Sequence, residues 1–260
     1  MDAIPQWAFY LAAAVFGLEL GGVSTIFIQR WIDEQPILRP GRSRCPACGK
    51  RLGWLDTIPL LGFILLKGRC RHCGSPIGAQ YLLVELSCLA WSLAAAHRFG
   101  MSPEWVLYLA LGTLLVAGSF IDFETFLLPD RITLGGAGLA LAASFVLEDT
   151  PTWQDACLGA LAGAGLFLLL QQIYRLWRKV EGLGTGDVKL MAMIGAMTGL
   201  AGLPLTILVA SLTGALGSVF YMVRPGKGGL RGRVPYGPFL SLGCMLYLLY
   251  GREIMRWWSS

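Results

Sequence analysis

Eight apolar runs divide the chain, at approximately Trp7–Ile28, Tyr81–Ala96, Trp105–Ile121, Ile132–Leu147, Ala156–Ile173, Val188–Leu203, Leu205–Val223 and Pro238–Tyr250. A helix that crosses a bilayer needs about 20 mostly apolar residues, and several runs supply them. The pattern predicts an all-α polytopic membrane protein of about eight transmembrane helices. The sixth and eighth runs are short or glycine-rich. Glycines recur inside the runs, and Gly159-Ala160-Leu161-Ala162-Gly163 has the small-xxx-small spacing that lets helices approach closely in lipid. Composition agrees: 55% of the 260 residues are hydrophobic and 14% charged, against roughly 25% charged in ordinary soluble domains. Mean hydropathy is +0.60.

In such a chain the net charge of +5 is no sign of nucleic-acid binding, because basic residues in membrane proteins mark the cytoplasmic side. With the amino terminus outside, the inner loops are residues 30–71, 122–131, 175–189 and 224–233, and they hold 18 of the 21 Lys and Arg. Residues 148–155, on the other side, carry Glu148, Asp149 and Asp155 and no base. The asymmetry predicts that both termini lie outside and that Asp122 and Asp187 lie on the cytoplasmic side. The residues before Trp7 lack the basic region of a secretory signal, so the first run is expected to be a retained span.

Residues 29–80 form the one sizeable hydrophilic loop. It contains Cys45-Pro46-Ala47-Cys48-Gly49 and Cys70-Arg71-His72-Cys73-Gly74, with 21 residues between Cys48 and Cys70. Paired C-x₂-C units at this separation are a zinc-ribbon signal, since four thiolates close a tetrahedral site. The competing reading is two disulfides, which rarely persist in the reducing cytosol where the charge pattern puts this loop. A full thiolate set leaves no open coordination position, so the metal would be structural. His72 reads as a solvated neighbour, and Cys88, Cys157 and Cys244, within apolar runs, as buried packing residues.

Two aspartates carry the candidate chemistry. Asp187 lies in Gly184-Thr185-Gly186-Asp187-Val188-Lys189-Leu190, between a charged loop and an apolar run, where it reads either as a helix N-cap or as a catalytic group. Asp122 closes a helix carboxyl end, where the dipole disfavours an anion, and charge at membrane depth marks function or pairing. Asp130, after Pro129, reads as an N-cap. Two carboxyls converging from different helices cannot both ionise easily, so one keeps its proton. The anion can deprotonate a water while the neutral partner polarises a scissile carbonyl and then protonates the leaving amine. That predicts peptide hydrolysis without a metal or a covalent intermediate. The two histidines, His72 and His97, are poorly placed for a rhomboid-like serine mechanism.

These motifs, in this order, resemble the bacterial type IV prepilin peptidases, members of the GxGD-type intramembrane aspartic proteases. The resemblance runs through Cys45–Gly49, Leu52–Phe63, Gly68–Ile77, Tyr81–Leu86, Ile121-Asp122, Leu128-Pro129-Asp130, Gly184–Leu190 and Pro235-Tyr236-Gly237-Pro238-Phe239. It implies that Asp122 and Asp187 are the catalytic pair, with Gly184, Gly186 and Lys189 supporting them. It implies an inner-membrane leader peptidase acting on prepilins or pseudopilins, cutting after a glycine ahead of the substrate's hydrophobic helix. The new amino terminus would then be methylated with S-adenosylmethionine. Residues 1–103 would hold the first two spans, the Cys₄ loop and the region associated with methyl transfer; residues 104–260 would form a six-helix peptidase region.

The stretch Gly21–Thr25 departs from the family, although Gly17, Gly21 and Arg30 match it. No glycine-rich fingerprint marks a cofactor site, so the residues that would bind S-adenosylmethionine stay unassigned. Glu19 is unexplained. Lys189 either snorkels to the interface or tunes Asp187; Glu85 either pairs with a loop arginine or meets the positive charges of a leader. A non-catalytic assembly factor that docks partners through the zinc loop is the alternative function. A transporter, the third class weighed, would be expected to show related halves, and no repeat is evident. A presenilin-like peptidase would leave the cysteine knuckles unexplained.

Overall fold

A computed structural model describes residues 5–36, 45, 47–178, 184–223 and 234–259. The described residues form eight α-helices: α1 (Gln6–Ile32), α2 (Leu61–Leu65), α3 (Ala79–Phe99), α4 (Pro103–Thr125), α5 (Asp130–Ala143), α6 (Trp153–Arg178), α7 (Thr185–Val223) and α8 (Gly237–Ser259). No strand occurs among them. Five helices (α1, α3, α4, α6 and α7) are long and apolar enough to cross a membrane, which makes this a multi-pass membrane protein. The expected eight crossings are not matched by length. α5 stops at Ala143 after 14 residues, or about 21 Å at 1.5 Å per residue, and the apolar part of α8 is only Gly237–Gly251. Residues 37–44, 179–183 and 224–233, which carry part of the charge argument for orientation, lie outside the described residues.

The chain divides into two compact units, Met1–Phe120 and Ile121–Ser260. In the first, α1 packs on α3 through small residues. The buried face of α1 is Ala13, Gly17, Gly21, Ser24 and Ile28, while Trp7, Leu11, Val15, Phe16 and Val23 are exposed. This inversion suits a helix whose outer face meets lipid, where close approach of backbones replaces the hydrophobic drive to associate. A side chain on Gly21 would meet the Glu85 backbone at 2.7 Å. Ser92 Oγ donates to the Ala13 carbonyl across the same interface (2.6 Å), and Trp91 Nε1 donates to Tyr108 O of α4 (2.9 Å).

The described residues of the hydrophilic loop form a 3-10 turn at Leu55–Thr57, the short α2 and an isolated antiparallel bridge between Arg69 and Pro76.

In the second unit α7 is central, with Leu190, Met191, Met193, Ile194 and Met197 fully buried. The small-xxx-small spacing is used: Gly159 of α6 lies directly against Gly195 of α7, and a Cβ on Gly163 would meet Met191 O at 2.6 Å. α7 is two helical segments joined at Gly199, whose φ of 65° and ψ of −174° interrupt the helix. The sixth and seventh apolar runs therefore part at Gly199, not in the Leu203–Leu205 stretch. Asp155 of α6 explains why: its Oδ1 accepts the Leu200 N–H (3.0 Å), capping the second segment from a neighbouring helix. Its carboxylate fills the space that a Gly199 side chain would need.

Candidate functional site

Asp122 lies in the last turn of α4 and is only 6% exposed. Its environment corrects the expectation of an uncompensated charge at a helix carboxyl end. Asp122 Oδ2 accepts the backbone N–H of Gly237 at 3.0 Å. Gly237 opens α8, so the carboxylate takes one of the donors that every helix leaves unpaired at its amino end. The positive end of the α8 dipole faces it. α4 ends just beyond, where the Phe126 N–H returns to the Asp122 carbonyl (2.9 Å) and Phe126 adopts a φ of 55°.

Asp187 is half-buried in the first turn of α7, which begins at Thr185. It is therefore inside the helix and not its N-cap; its own N–H bonds to the Gly184 carbonyl at 3.1 Å. The Asp187 carboxyl is within electrostatic reach of Asp122. Leu128 joins the two motifs. A Cβ on Gly186 would lie 3.0 Å from Leu128 Cβ, and one on Gly237 would lie 3.3 Å from Leu128 Cδ1 and 2.7 Å from Asp122 Oδ2. Glycine at 186 and 237 thus lets two helix amino ends close around one leucine and the acid pair. Gly237 is the site residue that sequence reasoning missed. Its motif, Pro235–Phe239, was visible, but nothing in it named a partner for Asp122.

One expectation about a neighbouring charge is corrected. Asp130 is the first residue of α5, and the N-cap position expected of it is held by Pro129. Asp130 pairs instead with Lys189, Nζ to Oδ1 at 2.6 Å. Lys189 is committed to that ion pair, not to Asp187. Glu85 does not pair with a described loop arginine: its Oε2 accepts the Leu60 N–H at 2.7 Å. Leu60 has φ 62° and ψ −50°, and the Leu61 N–H reaches back to Pro59 O (2.6 Å). That is the strained γ-turn geometry, and Glu85 holds it in place at the entrance to α2.

The first unit carries the thiolates. The Sγ atoms of Cys45, Cys48, Cys70 and Cys73 all lie within 4.8 Å of one another. The two knuckles repeat one geometry. Cys45 N–H bonds to Lys50 O and Gly49 N–H to Cys45 O (3.0 and 2.8 Å); Cys70 N–H bonds to Ser75 O and Gly74 N–H to Cys70 O (2.8 and 2.9 Å). Gly49 and Gly74 take φ of 67° and 71°, a region that glycine enters at little cost. The Cys48 amide lowers the Cys45 thiol from 9.0 to about 6, and the Ser75 hydroxyl lowers Cys73. Both shifts favour the thiolate that a metal requires; at Cys48 the Lys50 amide pulls the same way, but burial and the neighbouring thiols push that thiol up to about 11. All seven cysteines are free of disulfides, and the four clustered ones could bind a metal ion. Cys88 and Cys244 are buried as expected; Cys157 is only half-buried. Arg71, inside the second knuckle, is tied to Asp56 of the 3-10 turn (2.6 Å).

Fold and sites define a class: a multi-pass helical membrane protein with a carboxyl pair at converging helix ends and a separate four-thiol knuckle. Residues 15–99 match the bacterial peptidase A24 N-terminal domain and residues 109–219 the type IV leader peptidase family. Among named relatives, the prepilin leader peptidase/N-methyltransferase of Aeromonas hydrophila is 34% identical over 98% of this chain and 95% of its own length. Those of Pseudomonas putida and Myxococcus xanthus are each 38% identical, over 82% and 87% of this chain and 73% and 67% of their own lengths. The chain belongs to the type IV leader peptidase family. No solved structure matches it.

Proposed function

We propose that this protein is an aspartic endopeptidase that removes the leader from type IV prepilins or pseudopilins and then methylates the new amino terminus. The observation that carries the peptidase reading is the meeting of the α7 and α8 amino ends at Leu128, with Asp187 next to Gly186 and Asp122 held on the Gly237 N–H. The pair shares one proton. The ionised carboxyl takes a proton from a water, whose oxygen attacks the scissile carbonyl carbon. The protonated carboxyl gives its proton to the carbonyl oxygen. Collapse of the tetrahedral intermediate breaks the C–N bond, and the proton gained from water passes to the leaving amine. Gly184 leaves room beside the Asp187 carboxyl and Gly186 lets the turn close on Leu128. Lys189 acts indirectly, holding α7 to α5 through Asp130.

We assign the thiolate cluster to a structural zinc. Tetrahedral Zn–S bonds of about 2.3 Å put sulfurs about 3.8 Å apart, and Cys45 Sγ to Cys73 Sγ is 3.8 Å. The ion would fix both knuckles and leave no position for substrate. The matched segments 15–99 and 109–219 support the division into a methyl-transfer region, 1–103, and a peptidase region, 104–260. The basic-residue asymmetry supports the bacterial inner membrane as the location, with the aspartates on the cytoplasmic side, where a short basic leader waits. S-adenosylmethionine, when bound in the 1–103 region, would supply the electrophilic methyl group for the new amino terminus.

The test is intact-mass analysis of a prepilin incubated with the detergent-purified protein and S-adenosylmethionine. The expected product has lost its leader after a glycine and gained the mass of one methylene. An unprocessed precursor would overturn the reading.

A further inference from the structure

The first unit contains a chamber of about 490 Å³ bounded by α1, α3 and the hydrophilic loop, within the usual range for a small-molecule site of roughly 300–1,000 Å³. Its charge is one-sided. Glu19, Asp56 and Glu85 line it, and no Lys, Arg or His does so among the described residues. Trp54, Phe63 and Tyr81 supply aromatic surface. Asp56 is already neutralised by Arg71, and Glu85 has one oxygen on the Leu60 N–H. Glu19 is a carboxylate within a membrane-length helix, a placement that costs energy and marks function by default. Acidic groups beside aromatic faces recognise a cation.

We propose that this chamber is the site of the methyl donor, S-adenosylmethionine, and that Glu19 reads its sulfonium charge. The inference rests on the methyl-transfer reading above. The chamber's size suits the adenosine and amino-acid parts, and its aromatic and polar lining suits a ligand that is apolar at one end and charged at the other. Tyr81 is hydrogen-bonded to Gln29, which joins α3 to α1 across the chamber and holds its shape without any ligand. Glu19 thereby has the job that the sequence left open. It sits one α1 turn from Val23, which lines the same chamber.

The test separates charge from shape by equilibrium binding to the full-length protein in detergent. Sinefungin, with an ammonium where the donor has its sulfonium, is compared with S-adenosylhomocysteine, which is neutral there. The wild type should prefer sinefungin by about tenfold, the order of one charge interaction at about 4 Å in a largely water-screened site. Glu19→Gln should remove most of that preference while S-adenosylhomocysteine still binds, and Glu19→Asp should restore much of it. An unchanged preference in Glu19→Gln, with wild-type protein still methylating its product, would place the donor elsewhere and overturn the inference alone. Wild-type protein that binds neither analogue and releases an unmethylated product would overturn the inference together with the methyl-transfer reading.

Discussion

Replacing Gly237 by alanine asks whether the Asp122–α8 contact is part of the reaction or only of the fold. Gly237 has no positive φ and opens a helix, so backbone conformation does not require glycine there and alanine is the better helix former. The added methyl would stand 2.7 Å from Asp122 Oδ2 and 3.3 Å from Leu128 Cδ1. The carboxylate can relieve that contact only by lengthening its 3.0 Å bond to the Gly237 N–H. A hydrogen bond to a charged group contributes about 1.5–3 kcal/mol. Full loss of this orientation in the transition state corresponds to a roughly 10- to 150-fold lower rate. The assay is single-turnover cleavage of a prepilin, followed by leader release, beside thermal unfolding in the same detergent. The rate should fall by at least about tenfold at unchanged substrate affinity, with the unfolding midpoint lowered by only the few degrees that loss of one such bond implies. Cleavage at the wild-type rate would refute the idea that the Gly237 amide positions Asp122.

Other outcomes follow from the same contacts. Gly199→Ala should destabilise the second unit by about 1–3 kcal/mol for the positive φ alone and more from the clash with Asp155, read as a lower unfolding midpoint. Leu60→Gly should relieve the γ-turn and raise the stability of the first unit, whereas Glu85→Gln should lower it; limited proteolysis of the loop reports both. Lys189→Ala should cost less than about 1 kcal/mol, because its pair with Asp130 is solvent-exposed at 36% and 60% and screened accordingly. A double-mutant cycle with Asp130→Ala measures it, and a large loss of cleavage would return Lys189 to the catalytic group. Stripping metal with a chelator, or Cys73→Ser, should open the loop to protease and weaken binding in the adjoining chamber, which Cys45 and Cys70 also line.

Much of this was legible in the sequence because the signals are local. Apolar runs mark helices, the C-x₂-C-Gly knuckles carry their turn chemistry with them, and small residues at i and i+4 mark a close helix face. Partnerships across the chain were not legible. Asp155 lies in a segment that reads only as acidic and external, yet it sets where α7 breaks, 44 residues away at Gly199. Pro204 is the more conspicuous helix breaker, but the break goes where a carboxylate can cap the new amino end. Asp130 looked like a cap because it follows a proline; the distant Lys189 claims it instead. Asp122 looked uncompensated because its compensation is a backbone N–H, which no residue type announces. Glu85 likewise serves a strained leucine turn that sequence spacing does not reveal.

The central claim is that Asp122 and Asp187 act as one acid pair. Single-turnover cleavage of a prepilin by Asp122→Asn and Asp187→Asn proteins, with substrate binding measured in parallel, tests it most directly. The account predicts that both variants bind the precursor as tightly as wild type and that each cleaves at least about a hundredfold more slowly, the lower end of what a positioned acid or base contributes. A folded variant of either position that cleaves at close to the wild-type rate would contradict it.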